Sequence, residues 1–360
     1  MTSSSHRNER AKLYITEQIE KARHKSESDF LSLTNYNEIS LLLTSLIDTK
    51  SKGFRGVVAT ALTGMYLDPS FDPLNNFYAC NPRSIFENGI FFAFQGQIPC
   101  GKSDPLNVAK NQYVLNEDWA AGKRPESAAL AVVHFLEAVV DNSSDRETLI
   151  SFYFFRLVEY AEKVKAIDIK IPDSNNLSQQ EIGHRLADFV YTYPESGTTP
   201  QYVASLLFKA VYEKSSLIVV GGEESVFGTN TTSRKAADIW IEENNKPVNL
   251  YEITVKKIDV KRLNDSLHAL NDMNMIDSNI HFICRLPEDV ATLSILKDGT
   301  YNYQGKKFNF IDLRGFILTL VALLTTKQLK SIINELTSFI EDVERPISTK
   351  DGWNNIFNTS

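Results

Sequence analysis

Apolar residues recur at helical spacing through most of the first half of the chain. In AKLYITEQIEKARHK, Ile15, Ile19 and Ala22 fall on one stripe, and the same period returns in NEISLLLTSLIDT and FRGVVATALTGMYL. Between Asp68 and Asn111 the chain is rich in Pro, Asn and Gly, which predicts loops around the aromatic segment GIFFAF. Two long striped helices are predicted next, in SAALAVVHFLEAVVD and RETLISFYFFRLVEYAEKV. A helix after Pro172 is predicted to be capped by Ser178 or a neighbour, and PQYVASLLFKAVYEK predicts another after the turn-like YPESGTTP. The period then changes. SLIVVGG reads as an apolar run, while ADIWIEE and VNLYEITVK read as strands joined by ENNKP. VKRLNDSLHALNDM is amphipathic, with Val260, Leu263, Leu267 and Leu270 on one face. NIHFICRL is a buried strand, and helices fill the region from about Leu313 to Val343.

The order strand, strand, helix, strand predicts a small mixed sheet flanked by helices, hence an α/β core behind a large, mostly helical N-terminal portion. The expected organisation is a loose tail at 1–10, a helical region at 11–192, a core with C-terminal helices at 200–345, and a second tail at 346–360. At 360 residues, two packed lobes are expected rather than one. The 42% hydrophobic and 23% charged content excludes wholesale disorder. The longest nearly unbroken apolar run, Phe316 to Leu324, is too short for a bilayer, so no membrane association is expected. The opening MTSSSHRNER has no apolar segment of a secretory leader. Cys80, Cys100 and Cys284 form no CxxC pair, which argues against zinc and disulfides and for a reducing cytoplasm. The net charge of −7 argues against a protein that coats nucleic acid by overall positive potential, yet leaves room for a locally basic cleft.

Candidate chemistry concentrates in AADIWIEENNKPVNLYEITVKKID. In a strand, alternate side chains share a face, so Glu252, Thr254 and Lys256 would project together, and Lys257 would face away. Asp238, fourteen residues before Glu252, would return beside it across a hairpin. Two carboxylates and an ammonium on one patch are the parts that phosphodiester hydrolysis needs. Carboxylates hold Mg²⁺, the ion polarises the phosphate, and a lysine orients water or stabilises developing charge. Glu223 and Glu224 are candidates for a further acid. The same residues also suit a solvated strand edge with a weak surface ion pair, and spacing alone does not separate the two.

The pattern D…E-x-T-x-K resembles a variant of the PD-(D/E)XK nuclease motif, with Thr254 at the usual lysine position and Lys256 two residues later. FGTNTTSRKAADIWIE followed by YEITVKKID is similar to the corresponding segment of SacI-type restriction endonucleases. So, in order, are FRGVVAT, NFYACNPRSIFENGI, IPCGKSDPLNVAK and DWAAGKRPESAA, and the likeness runs from about residue 10 to 345. The resemblance implies a PD-(D/E)XK-like core and a type II enzyme that cuts both strands of a short site in double-stranded DNA with Mg²⁺. It implies Asp238 and Glu252 as metal ligands and Lys256 as the catalytic lysine, with Lys257 and Lys235 as rivals for that role. It further implies a homodimer matched to a two-fold site, a cognate DNA methyltransferase as genetic partner, and a prokaryotic cytoplasm. Under this reading Lys102, Ser103 and Lys110 are candidate phosphate contacts. Arg55, Arg83 and Arg234 are candidates for base edges or phosphates, and Lys235 for the DNA surface.

Two rival functions come from other classes. Gly96 to Ser103 reads GQIPCGKS, a literal G-x-x-x-x-G-K-[ST] match, and so suggests a P-loop ATPase. Against it, Pro99 removes a backbone donor, Asp-Pro follows Ser103 at once, and no apolar strand ending in Asp follows. A non-catalytic DNA-binding protein is the other rival. The six histidines lack ligand spacing; His134 is expected in an apolar core, His184 on a helix surface, and the FYFF run at 152–155 in packing.

Overall fold

The computed structural model describes residues 3–172, 177–222 and 237–357. The chain divides into two compact units, Met1–Ile167 with Asp342–Pro346, and Asp168–Glu341 with Ile347–Ser360. The division at 167/168 precedes the expected boundary between 192 and 200, so the helix that starts after Ser178 belongs to the second unit.

The first unit holds the helices α1 (Ser3–Arg23), α2 (Tyr36–Ile47), α3 (Gly53–Leu67), α4 (Pro82–Ile85), α5 (Phe91–Phe94), α6 (Asp104–Ala109), α7 (Glu117–Ala121), α8 (Glu126–Asp141) and α9 (Arg146–Lys165). Helix α3 is buried at every position from Gly53 to Gly64, so the other helices wrap it. Gly56 makes this close approach possible: a Cβ there would lie 2.2 Å from the Pro105 ring. Of the expected tail at 1–10, residues 3–10 are instead the start of α1. Asn8 is buried and its side-chain amide donates to the Ser84 hydroxyl at 3.2 Å, which anchors a stretch whose composition is polar. His134 is exposed rather than in the core, because the apolar stripe of α8 runs through Val132, Val133, Phe135 and Leu136. His184 is exposed, and Phe152, Tyr153 and Phe154 are fully buried.

The second unit contains α10 (Gln179–Thr192), α11 (Thr198–Tyr212), α12 (Val260–Asp272), α13 (Leu313–Ala322), α14 (Thr326–Glu341) and α15 (Ile347–Phe357). Its strands are β1 (Ile218–Gly221), β2 (Ile239–Glu243), β3 (Lys246–Ile253), β4 (Asn279–Cys284), β5 (Thr300–Tyr303) and β6 (Lys306–Asp312). Ser178 caps α10 in a reciprocal box: its hydroxyl accepts from the Glu181 N–H, and the Glu181 carboxylate accepts from the Ser178 N–H at 2.7 Å. The expected tail at 346–360 is helical as far as Phe357. Trp353 is wholly buried and its indole N–H donates to the Lys170 carbonyl at 3.1 Å.

The strands form one mixed sheet in the order β1-β2-β3-β4-β6-β5. Strands β1, β2 and β3 are an antiparallel meander, whereas β4 is parallel to both β3 and β6. The parallel pairing follows from α12, which carries the chain from the end of β3 back to the start of β4. Leu263, Leu267 and Leu270 of α12 pack with Leu250, Ile280, Phe282, Phe308 and Phe310. On the other face Tyr251 meets Phe208 of α11 and Phe316 of α13, with ring centroids 4.6 and 6.4 Å away. The turn between β2 and β3 has Asn244 and Asn245 at φ 53° and 60°, the left-handed pair that a two-residue hairpin requires. The β5–β6 hairpin was not anticipated from the sequence, although TYNYQGKKFNFID alternates around a Gln-Gly turn. No described helix is long and apolar enough to cross a membrane.

Candidate active site

The hairpin does return Asp238 to Glu252. Ile239 is registered opposite Tyr251, so the residue before the one and the residue after the other meet. One oxygen of Asp238, Oδ2, accepts the Ile253 N–H at 2.8 Å, which fixes this carboxylate against the end of β3. On the opposite side, the Gly222 N–H donates to the Asp238 carbonyl at 3.1 Å, so β1 holds the same residue. Gly221 is needed there: its φ is +91°, and a Cβ would come within 2.3 Å of that carbonyl.

Glu252 lies on the α12 face of the sheet with its side chain 18% exposed. Burial pushes its carboxyl from the usual 4.5 up to about 8, and the charge of Asp238 pushes the same way, while Arg262 opposes both. The Arg262 guanidinium donates to Glu252 Oε2 through Nη2 at 3.1 Å. Arg262 sits in the first turn of α12, where the Asp259 carboxylate caps the helix by accepting the Arg262 N–H at 3.0 Å. The centre is therefore two adjoining carboxylates and one guanidinium.

Sequence reasoning missed Arg262. A signal was present: a cation in the first turn of a helix opposes the positive end of the helix dipole, so it calls for a carboxylate partner nearby. The amphipathic pattern already turns α12 toward the sheet, and Arg262 borders the apolar stripe at Leu263.

Lys256 is placed differently from the alternation argument. Strand β3 ends at Ile253, and Thr254 to Lys256 follow in a bend, so period-two alternation no longer relates Lys256 to Glu252. Thr254 is buried. Its N–H donates to the Ile283 carbonyl at 3.0 Å and its hydroxyl accepts the Lys256 N–H at 3.1 Å. Lys256 and Lys257 are both exposed, and the Lys256 ammonium makes no ion pair among the described residues. Glu223, Glu224, Arg234 and Lys235 lie outside the described residues.

The remaining candidates belong to the first unit. Arg55 is not a surface residue. It is 1% exposed, it donates to the carbonyls of Ile47, Thr49 and Pro99 at 2.7, 2.7 and 2.5 Å, and it stacks 4.4 Å from the Tyr160 ring centre. Its fork ties the last carbonyl of α2 and two loop carbonyls to α3 and is not offered to a duplex. Arg83 is half-exposed and paired with Glu87 at 3.2 Å. Lys102 and Lys110 are exposed, and Ser103 stands at the N-terminus of α6.

The Gly96–Ser103 stretch is not a phosphate cradle. It joins α5 to α6 rather than a strand to a helix, and four of its N–H groups are already engaged. The N–H groups of Gln97 and Ile98 both donate to the Phe94 carbonyl, Cys100 donates to Ile98, and Pro99 has none. The Gly101 N–H donates at 2.6 Å to the buried Asp104 carboxylate, an anion that repels a phosphate.

Two carboxylates suit a hard divalent cation such as Mg²⁺, which takes one or two from protein and completes its shell with waters and phosphate oxygens. Among the described residues no group of three His, Cys, Asp or Glu side chains is placed to hold a metal ion. No protein-family model matches the chain, and no curated protein matches it.

Proposed function

We propose that the chain is a Mg²⁺-dependent phosphodiester hydrolase that cuts double-stranded DNA, acting as a type II restriction endonuclease with a PD-(D/E)XK-like core. The observation that carries the reading is the meeting of Asp238 and Glu252 at the end of β3, a half-buried acidic pair balanced by Arg262. An acidic pair of this kind is unfavourable without a cation, and sites that keep such an arrangement are commonly functional. The mixed sheet flanked by helices, the E-x-T-x-K spacing and the ordered blocks of resemblance support the same reading.

In this reading Asp238 and Glu252 hold the ion, with Asp238 oriented by the Ile253 N–H. When bound, Mg²⁺ supplies charge stabilisation at the phosphate and lowers the proton affinity of a water. Arg262 limits the negative charge of the pair. Lys256, exposed and without an ion pair among the described residues, supplies a cation beside the attacked phosphate from the bend after β3. Symmetric cutting of both strands calls for a two-fold homodimer, and host protection calls for a partner DNA methyltransferase.

The test is incubation with plasmid DNA and Mg²⁺, for the wild type and for Asp238→Asn and Glu252→Gln. Discrete fragments from the wild type and none from either variant are expected. Undiminished cutting by both variants, or a wild type that shifts DNA on a gel and never cuts it with any divalent ion, would reject the proposal.

A further inference from the structure

Arg262 has more hydrogen-bonding capacity than the folded site uses. Of its five N–H donors, one bond to Glu252 is made through Nη2, and the buried Nε has no hydrogen-bond partner. The side chain is 37% exposed, so the fork also reaches solvent. Its backbone is held by the Asp259 cap, which leaves the side chain as the part able to change partners. A guanidinium with open donors beside a carboxylate is matched to a second, planar oxygen acceptor, and a phosphodiester presents one.

We infer that Arg262 is a positioning residue that stands in for the divalent ion on Glu252, so that ion and guanidinium compete for that carboxylate and the displaced guanidinium turns to the substrate phosphate. The inference rests on the reading of Asp238 and Glu252 as the metal pair. Its physical basis is mutual exclusion: both cations are held by the same negative charge, and each weakens the other at short range. A phosphate that takes the guanidinium away relieves the competition. Metal and DNA therefore bind cooperatively, and by reciprocity each tightens the other by the same factor. The device keeps the acidic pair neutralised in the absence of substrate and couples ion capture to the presence of a phosphodiester.

The experiment measures Mn²⁺ binding to the full-length protein by the loss of the free-ion electron paramagnetic resonance signal, without DNA. Arg262→Met is expected to bind Mn²⁺ about tenfold more tightly than the wild type, the effect of removing one unit charge a few ångströms away in a partly screened site. Arg262→Lys, which keeps the charge and confirms that the position tolerates change, should remain close to the wild type. At saturating Mn²⁺ the Met variant should show a raised KM for plasmid, and the Lys variant should recover most of it. Equal Mn²⁺ affinity in the wild type and Arg262→Met would overturn the inference while leaving the metal pair intact. Mn²⁺ binding that is absent even from Arg262→Met, or undisturbed by Asp238→Asn and Glu252→Gln, would overturn the nuclease reading itself.

Discussion

Replacing Glu252 by glutamine removes one of the two ionisable members of the half-buried pair while keeping its shape and its acceptor for Arg262. The wild-type carboxyl titrates at about 8 in the folded chain, against 4.5 for the ordinary group. A carboxyl whose folded value is raised binds its proton more tightly in the native state than in the unfolded one. Between 4.5 and about 8 the native state therefore holds more protons, and stability falls as pH rises across that window. Each pH unit is worth about 1.4 kcal/mol, so the move from pH 6 to pH 9 lowers wild-type stability by roughly 3 kcal/mol through this one group. The glutamine variant lacks that loss, and titrating groups other than the neighbouring Asp238 are common to both proteins and cancel in the comparison. The assay is urea unfolding with chelator present, at pH 6, 7, 8 and 9, with the variant-minus-wild-type difference plotted against pH. The difference should favour the variant progressively and level off above about pH 8. Asp238→Asn should shallow the wild-type slope, since the Asp238 charge is one of the causes of the raised value. A difference that is constant across the range would refute the half-buried-pair geometry, whatever the protein's activity.

Two further outcomes test the framework around the site. Arg55→Met should destabilise the first unit by at least about 3 kcal/mol in thermal or urea unfolding, because it strands three carbonyls in the interior; an unchanged unfolding midpoint would show that those bonds do not form. Trp353→Ala should cost about 3–5 kcal/mol, the usual price of emptying a large aromatic site, and unfolding of the second unit followed by hydrogen exchange would report it. An exchange pattern identical to the wild type would return residues 347–357 to the status of a tail.

Local pattern was enough for much of the architecture. The apolar stripes of α1, α2, α3, α8, α9 and α12 were legible because the faces they bury repeat every three or four residues. The strands β2 and β3 and their Asn-Asn turn were legible because alternation and left-handed turn residues are local properties. The pairing of Asp238 with Glu252 is not one of these local properties: a regular two-residue turn would set Asp238 opposite Tyr251, and the register shift between Ile241 and Glu242 brings it to Glu252 instead.

Tertiary structure decided what depends on distant partners. The polar start of α1 became ordered through Asn8 and Ser84, 76 residues apart, and the last residues through Trp353 and Lys170, 183 apart. Arg55 reads as a surface cation until three carbonyls surround it. The Gly96–Ser103 string matches a phosphate loop letter by letter, yet its conformation depends on the helices at either end and on the Asp104 carboxylate. Arg262 joins the site only because the crossover helix α12 lays its first turn over the end of β3. Sequence periodicity specifies which face of an element is buried, a one-dimensional property. Which groups meet across that face depends on how separate elements pack, and so the acids of the site could be read from the chain while their counter-cation emerged only from the fold.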